Sequence, residues 1–257
     1  MLPNQYCLAE QAESWAMRAR AAVAWAGPGA ALSGLAALAA WGYAPLPIEL
    51  IEVLVPPGGH RRGPTWLQVR TLSAPIRSSV WSPATSIVTP SLALVMAYGS
   101  IPARDRATFV HGTVRARIVD ARELGAELAR LPRVAGRAEL AQRTALIAKG
   151  AESYLEERGM ADIFRGAGFA DVLFQHKIVA RGFKYRLDVF HPPSRTAFEM
   201  DSAGHHGSER ARQYDVARDA TLATLGVLTV RYTYQDIIQR PGWCRDTARE
   251  VIEARIR

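Results

Sequence analysis

Apolar and polar positions alternate most regularly in the last third of the chain. The segments KYRLDVFH (184–191) and RTAFEMD (195–201) alternate with a period of two, which is typical of half-buried β-strands. Segments with a helical period lie before and after them, so the second part of the chain is predicted to have the order α-β-β-β-α-β-α. The predicted elements are helix 145–167, strands 171–179, 181–191 and 195–201, helix 208–225, strand 227–234, and a last helix from residue 236 that Pro241 and Gly242 interrupt.

The first part of the chain has shorter segments. Predicted helices cover residues 8–26, 33–41, 91–98, 103–119 and 121–131, and predicted strands lie in IELIEVLVP, TWLQVRTLS and SIVTP. Pro132 and Gly136 then break the pattern, which places a domain boundary near residue 140. We therefore expect an α/β (α+β) fold with two domains: a smaller α+β domain over residues 1–140 and a mixed sheet flanked by helices over residues 141–257.

Three carboxylates lie on the alternating strands. Glu199 and Asp201 are two residues apart, so they project from the same face of their strand, and Asp188 lies on the strand before it. Carboxylates that crowd on half-buried strands repel each other and are costly to desolvate unless a cation lies between them. The pattern thus indicates a divalent metal site with oxygen ligands. The alternative for Asp188 alone is an ordinary turn or cap residue.

Charge and composition point to the kind of partner. The net charge of +8 favours a polyanion such as nucleic acid, although a GC-rich genome alone would also enrich a chain in arginine. Cys7 and Cys244 lie near opposite ends and form no short metal-binding motif, so we expect a reduced, cytoplasmic setting. Glycine and proline interrupt the apolar stretch 19–40, which makes it a poor membrane span or signal peptide, and we expect no membrane partner.

The motifs of the second part resemble those of the restriction-endonuclease-like PD-(D/E)XK nucleases. Within that superfamily, SYLE, RLDVF, FEMDSAGHH, YDVARDATLATLG and VLTVRYTY are similar to the branch akin to very-short-patch-repair (Vsr) endonucleases, over about residues 145–257. In the first part, LSGLAALAAWG, IELIEVLVP and SIVTPSLAL resemble more faintly the C-terminal portion of AbiEi-like antitoxin proteins. We expect no counterpart of the winged-helix segment that usually begins those antitoxins.

The resemblance implies a role for each acidic motif residue. Asp188 matches the metal-binding aspartate and Glu199 the second acidic ligand, and the implied ion is Mg²⁺ or Mn²⁺. Asp201 stands where the parent nucleases carry a lysine, and it is expected to be a further ligand or to position the attacking water. Glu156 matches the helix acid of the branch, and its alternative is a solvated salt bridge on a charged helix face.

The sequence departs from the family pattern beside these acids. The motif lysine is missing, and Ser202 replaces the glycine that usually follows the acid at Asp201. Lys184, four residues before Asp188 on the same strand face, is a candidate to replace that lysine. His205 or His206 matches a histidine after the third strand and would act as a general acid–base or donate to the phosphate; the alternative is a solvated loop.

Four basic residues are candidates for contacts with nucleic acid. They are Lys184, Arg218 in the helix after the third strand, and Arg61 and Arg62 in PPGGHRRG, a predicted hairpin loop. The alternative for Arg218 is an ordinary surface network with the aspartates on its own helix.

These features together predict a Mg²⁺-dependent DNA endonuclease of nicking, repair or defence type, with the first domain serving recognition or regulation. The first alternative is a catalytically inactive DNA-binding or antitoxin-like transcriptional regulator that uses the nuclease fold as a scaffold. The second alternative is a protein-interaction partner whose basic charge is incidental. A partner toxin and a homodimer are both left open.

Overall fold

A computed structural model describes residues 2–5, 10, 14–44, 48–59, 61–201 and 209–256, and the side chains of 209–212 are not described. The chain divides into two compact units, Met1–Ala145 and Leu146–Arg257. The predicted boundary at residue 140 lies in the helix that contains this division, Arg137–Ala148. Unit 1 has more residues than unit 2, so the expectation of a smaller first domain was wrong.

Unit 1 is built on a five-stranded mixed sheet in the order β3-β2-β1-β5-β4. Its strands are β1 (Ala31–Ser33), β2 (Ile51–Val55), β3 (Leu67–Thr71), β4 (Ser78–Ser82) and β5 (Thr85–Val88). Its helices are α1 (Trp15–Ala26), α2 (Gly34–Ala40), α3 (Pro90–Ala97), α4 (Ala103–Arg115), α5 (Ala121–Arg130) and α6 (Arg137–Ala148), which crosses into unit 2. The sequence pattern predicted β2, β3 and β5 but missed β1 and β4.

The β2–β3 connection corrects a second prediction. These strands run parallel, with Ile51 opposite Leu67 and Val55 opposite Thr71. PPGGHRRG therefore lies in a crossover between parallel strands and not in a hairpin loop. Every residue of β2 is buried, because β2 is an inner strand against which α1 and α2 pack; this explains its continuous apolar run.

Unit 2 is built on a four-stranded mixed sheet in the order β6-β7-β8-β9. The first three strands are antiparallel and β9 runs parallel to β8. The strands are β6 (Leu173–Ala180), β7 (Phe183–His191), β8 (Thr196–Asp201) and β9 (Leu228–Thr233), and the helices are α7 (Tyr154–Arg158), α8 (Glu209–Ala223), α9 (Tyr234–Gln239) and α10 (Pro241–Ile256). The chain thus has a mixed α+β fold with two mixed sheets, as the coarse prediction states.

The predicted helix 145–167 is interrupted in the structure. The backbone leaves the helical region at Gly150, where φ is 109°, and Ser153 then caps the short helix α7. A π-helical turn, Gly159–Ile163, continues α7 and is followed by a 3₁₀ turn, Ala167–Phe169. The break sets Glu156 at the start of a separate helix, three residues after its N-cap.

The two faces of the unit 2 sheet bury separate apolar clusters. One cluster includes Phe198 and Tyr232, whose rings stack with centroids 6.2 Å apart, together with residues of α7, α9 and α10. The other joins Leu187 and Ala197 to Leu222 of α8. Because both faces are covered, polar side chains on the middle strands are removed from water. None of the described helices is long and apolar enough to cross a membrane.

Gly159 allows the π-helical turn to pack directly against β8. A Cβ at this position would overlap the sulfur of buried Met200. Gly159→Ala is expected to lower the free energy of unfolding by about 1–3 kcal/mol, because overpacking forces the methionine out of its rotamer. Gly242→Ala is the control: a Cβ added at that helical site would meet no atom within 4 Å, so we expect no loss. Urea denaturation of both variants checks this, and equal stability would contradict the packing argument.

Candidate active site

Asp188 and Glu199 lie where β7 and β8 stop pairing. The last paired residues on this side are Val189 and Phe198, and continuing the register by one residue sets Asp188 opposite Glu199. Beyond that point the Met200 N–H of β8 donates its hydrogen bond to a side chain of β7, because Oδ2 of Asp188 accepts it at 3.0 Å. Two carboxylates are therefore neighbours at the point where the strands separate.

Glu199 is the most perturbed carboxyl group of this region. Its side chain is only 7% exposed, and its Oε1 accepts a hydrogen bond from Nη2 of Arg218 at 2.8 Å. Burial, together with the charge of Asp188, raises the pKa of Glu199 to about 7, although Arg218 and Arg231 act in the opposite direction. The carboxyl group therefore exchanges its proton near neutral pH, which an unperturbed glutamate does not do.

Arg218 connects α8 to both strands of the site. One nitrogen, Nη2, donates to Glu199 and also to the backbone carbonyl oxygen of Arg186 at 2.9 Å. The guanidinium is largely buried, with 12% of the side chain exposed. It supplies positive charge next to the carboxylates and is placed to interact with an anion bound there.

Glu156 lies in the first turn of α7, close to Asp188. Its backbone N–H donates to Oγ of Ser153 at 3.2 Å, and its Oε2 accepts from the backbone N–H of Glu152 at 2.8 Å. Burial, with a contribution from the charge of Asp188, raises the pKa of Glu156. The hydrogen bonds at the start of α7 hold Glu156 in place. The effect of the Asp188 charge on the pKa of Glu156 shows that Glu156 also belongs to this group of acids.

Gln175 is a site residue that the sequence analysis missed. Its Nε2 donates to Oε2 of Glu156 at 2.8 Å and lies 3.5 Å from Oδ1 of Asp188, so it bridges the two acids. Its Oε1 is buried and accepts no hydrogen bond from the described residues. Gln175 also has φ of 51°, which costs a non-glycine residue about 1 kcal/mol and is frequent at functional sites. We define Glu156, Gln175, Asp188, Glu199 and Arg218 as the acid cluster.

The oxygen atoms of the acid cluster fit a hard divalent cation in type. Oδ2 of Asp188 and Oε1 of Glu199 accept short hydrogen bonds from Met200 and Arg218, whereas Oδ1 of Asp188 has only the 3.5 Å contact with Gln175, so each acid keeps an oxygen with lone pairs for an ion. Across the described part of the chain, no three His, Cys, Asp or Glu side chains are arranged to hold one metal ion. Two carboxylates with waters, which is how Mg²⁺ is commonly bound, remain the arrangement that these residues offer.

The other predicted acids and histidines have different outcomes. Asp201 ends β8, is half-buried, and lies opposite Thr233 of the parallel strand β9. By alternation it projects on the same side as Glu199, as predicted, but its role as a ligand stays a prediction. His205 and His206 lie outside the described residues, so the predicted acid–base role stays a prediction as well.

The four predicted basic residues have different surroundings. Arg218 contacts Glu199 directly, whereas Lys184 is exposed beside the β6–β7 turn, about 13 Å along the strand from Asp188. Arg218, and not Lys184, therefore provides the positive charge in the acid cluster. In unit 1, Arg61 donates to the carbonyl oxygen of Trp25 at 2.6 Å and lies over its ring, while Arg62 is exposed.

Arg231 forms a separate ion-pair network behind the acid cluster. It lies opposite Glu199 on β9 and makes two hydrogen bonds of 3.1 Å to Asp219 of α8. Asp215 is 3.7 Å from the same guanidinium. Asp215 and Asp219 therefore form the surface network of the alternative interpretation, but their partner in it is Arg231 and not Arg218.

Comparison of this chain with protein-family models, with curated proteins and with solved structures finds no match. Function is therefore inferred from the acid cluster and its surroundings.

Proposed function

We propose that this protein is a divalent-metal-dependent endonuclease that hydrolyses phosphodiester bonds in DNA, with its active site in unit 2. The observation that supports the proposal is the pair Asp188 and Glu199 at the end of the paired part of two strands: Asp188 is half-buried, Glu199 is buried, and burial together with the charge of Asp188 raises the pKa of Glu199 to about 7. Groups with pKa values shifted by burial and by a specific charge occur frequently at catalytic sites. The resemblance of the motifs around them to PD-(D/E)XK nucleases, and the net charge of +8, favour DNA as the substrate.

In this proposal Asp188 and Glu199 would hold one Mg²⁺ or Mn²⁺ ion together with water molecules. A bound divalent ion lowers the pKa of a water molecule and offsets charge on a phosphate. Gln175 keeps Asp188 and Glu156 in place through the two contacts of its amide nitrogen. Glu156, whose pKa is also raised, accepts a proton from the attacking water or orients it.

Arg218 takes over part of the role of the missing motif lysine. It holds Glu199 in one orientation, because a single nitrogen bonds both Glu199 and the backbone of β7. The remaining donors of its guanidinium would bind the phosphate and stabilise the charge that develops on it during hydrolysis. Asp201, His205 and His206 remain candidates for a further ligand and for general acid–base catalysis.

A second function is favoured by a specific observation. One oxygen of Asp188 and one of Glu199 are already bonded to Met200 and Arg218 within unit 2, which satisfies the acids in part without any ion. A protein that binds DNA without cleaving it, such as an antitoxin-like regulator, could keep this arrangement as a structural element. The two functions differ in whether DNA is cut.

The test is incubation of supercoiled plasmid with the purified protein in Mg²⁺ or Mn²⁺, with EDTA as the control. Nicked or linear plasmid that forms only with the metal supports the endonuclease. Intact plasmid, together with DNA binding that weakens steeply as salt is raised, supports the regulator, because phosphate contacts are salt-dependent.

A further inference from the structure

A β-hairpin extends away from the acid cluster and carries the exposed cations Lys177, Arg181, Lys184 and Arg186. Strands β6 and β7 pair from Leu173 and Phe190 to the closing pair Ala180 and Phe183. A two-residue turn joins them, with φ of 51° at Arg181 and 81° at Gly182, as in a type I′ turn. We define residues 177–186 as the hairpin arm.

One face of the hairpin arm is basic and continuous with the acid cluster. Lys177 lies opposite Arg186 and Val179 opposite Lys184, so these four side chains share a face. Arg186 bonds Glu152 at 2.6 Å and Gln175 bonds Glu156, so this face looks toward the start of α7, as the acid cluster does. The cations lead from Asp188 toward Arg181 in the turn.

The face is open to a ligand along its length. Lys177, Arg181, Lys184 and Arg186 are all exposed. A shallow groove of about 620 Å³ continues the face past Gln175 and is also lined by Lys149 and His176. The separation of about 13 Å along the strand between Lys184 and Asp188 equals the rise of about four base pairs of a duplex at 3.4 Å each, so one strand of nucleic acid can contact both.

The tip of the hairpin arm exposes two apolar side chains: Val179 on the basic face and Phe183, which pairs with Ala180, on the opposite face. Phe183 is 66% exposed and Val179 is 61% exposed. Lysine on an edge strand such as β6 often serves only to prevent aggregation, which would explain Lys177. The same explanation applies to Lys184 and Arg186, because β7 pairs with β8 only from Val189 onward, but it does not explain an exposed phenylalanine at the turn.

We propose that the hairpin arm binds one strand of nucleic acid and delivers it to the acid cluster. Lys177, Lys184 and Arg181 contact the phosphates of the nucleic acid. Phe183 stacks on one of its bases at the tip of the arm. The partner is nucleic acid because the arm has several exposed cations, of which Arg186 pairs with Glu152, and an aromatic ring at its tip. The inference rests on the proposed function for the kind of nucleic acid that is bound. What it adds is the surface that binds this nucleic acid, the hairpin arm.

The test measures binding of fluorescent single-stranded and duplex oligonucleotides by anisotropy, in EDTA so that nothing is cleaved. The double variant Lys177→Gln/Lys184→Gln is expected to bind about tenfold more weakly, with the slope of log K against log salt smaller by about two. Arg181→Gln should weaken binding as well. Its matched control is Arg195→Gln, an exposed turn arginine at the other end of β7 with φ of 49°. Equal binding by all variants would overturn the proposal.

Phe183 provides an independent test of stacking. Phe183→Leu is expected to weaken binding at least about fivefold, whereas Phe183→Trp keeps the affinity and its added fluorescence is quenched by the oligonucleotide. If leucine served as well as tryptophan, the ring would not stack on a base. A wild-type protein that binds through the hairpin arm but never cuts would support this inference and contradict the endonuclease. A protein that cuts while the arm variants bind and cut normally would contradict this inference alone.

Discussion

Asp188→Asn is expected to reduce metal-dependent cleavage by at least about a thousandfold. The substitution removes the charge of one of the two proposed ligands, and a divalent ion contributes several kcal/mol of transition-state stabilisation, at about 1.4 kcal/mol for each factor of ten. Asparagine keeps an oxygen in the place of Oδ2, which accepts the Met200 N–H, so the local fold should persist. Initial rates of plasmid nicking in Mg²⁺, with the circular dichroism spectrum of each protein, measure the effect.

Asp246→Asn is the matched control for this variant. Asp246 is an exposed aspartate on α10, and its replacement changes the net charge by the same amount. We expect its cleavage rate to stay within about twofold of the wild type, because surface substitutions rarely matter. If Asp188→Asn cleaved as fast as Asp246→Asn, the acid cluster would not be the active site.

Glu199→Gln is expected to stabilise the metal-free protein at pH 8 by on the order of 2 kcal/mol. The folded-state pKa of Glu199 is about 7, above the ordinary value of 4.5, so the native state binds the proton more tightly than the unfolded chain. Stability therefore falls as pH rises from about 4.5 to 7, and the ionised carboxylate costs about 3 kcal/mol above that range. Glutamine removes this cost but leaves Arg218 without its counter-ion, which cancels part of the stabilisation.

The pH dependence distinguishes this effect from a change in packing. The difference between Glu199→Gln and wild type should be small at about pH 4.5, where Glu199 is protonated in the folded wild type and about half protonated in the unfolded chain. Glu253→Gln, an exposed site on α10, should show no such dependence. Urea denaturation at pH 4.5, 6 and 8 measures the free energies. A Glu199→Gln variant less stable than wild type at pH 8 would show that the Arg218 ion pair outweighs burial.

The strands of unit 2 could be predicted because their side chains alternate between a covered face and a polar one. That alternation placed Asp188 and Glu199 on adjacent strands, and in the structure they lie one residue beyond the last pair of β7 and β8, Val189 and Phe198. Gln175 could have been found by extending the antiparallel register to β6, which sets it opposite Asp188. The left-handed backbone conformation of Gln175 could not have been predicted, because a glutamine side chain does not favour a positive φ.

Other features depend on contacts far apart in sequence. The pattern of Arg218 on α8 fits a solvated network with Asp215 and Asp219 equally well, and only tertiary packing turns it toward Glu199. In unit 1, periodicity detects β2 and β3 but carries no information on direction, so their parallel pairing was missed. β1, with three residues between two helices, is too short to show a period.

Calorimetric titration of Mn²⁺ into the protein would show whether the acid cluster binds a divalent ion, on which the proposed function depends. At about pH 6.5 most of Glu199 is protonated, so binding should release most of one proton, measured by repeating the titration in buffers of different ionisation enthalpy. We predict binding with proton release for the wild type and Asp246→Asn, and no binding for Asp188→Asn. Equal affinity of Asp188→Asn and wild type, or no binding by either, would contradict the proposed metal site.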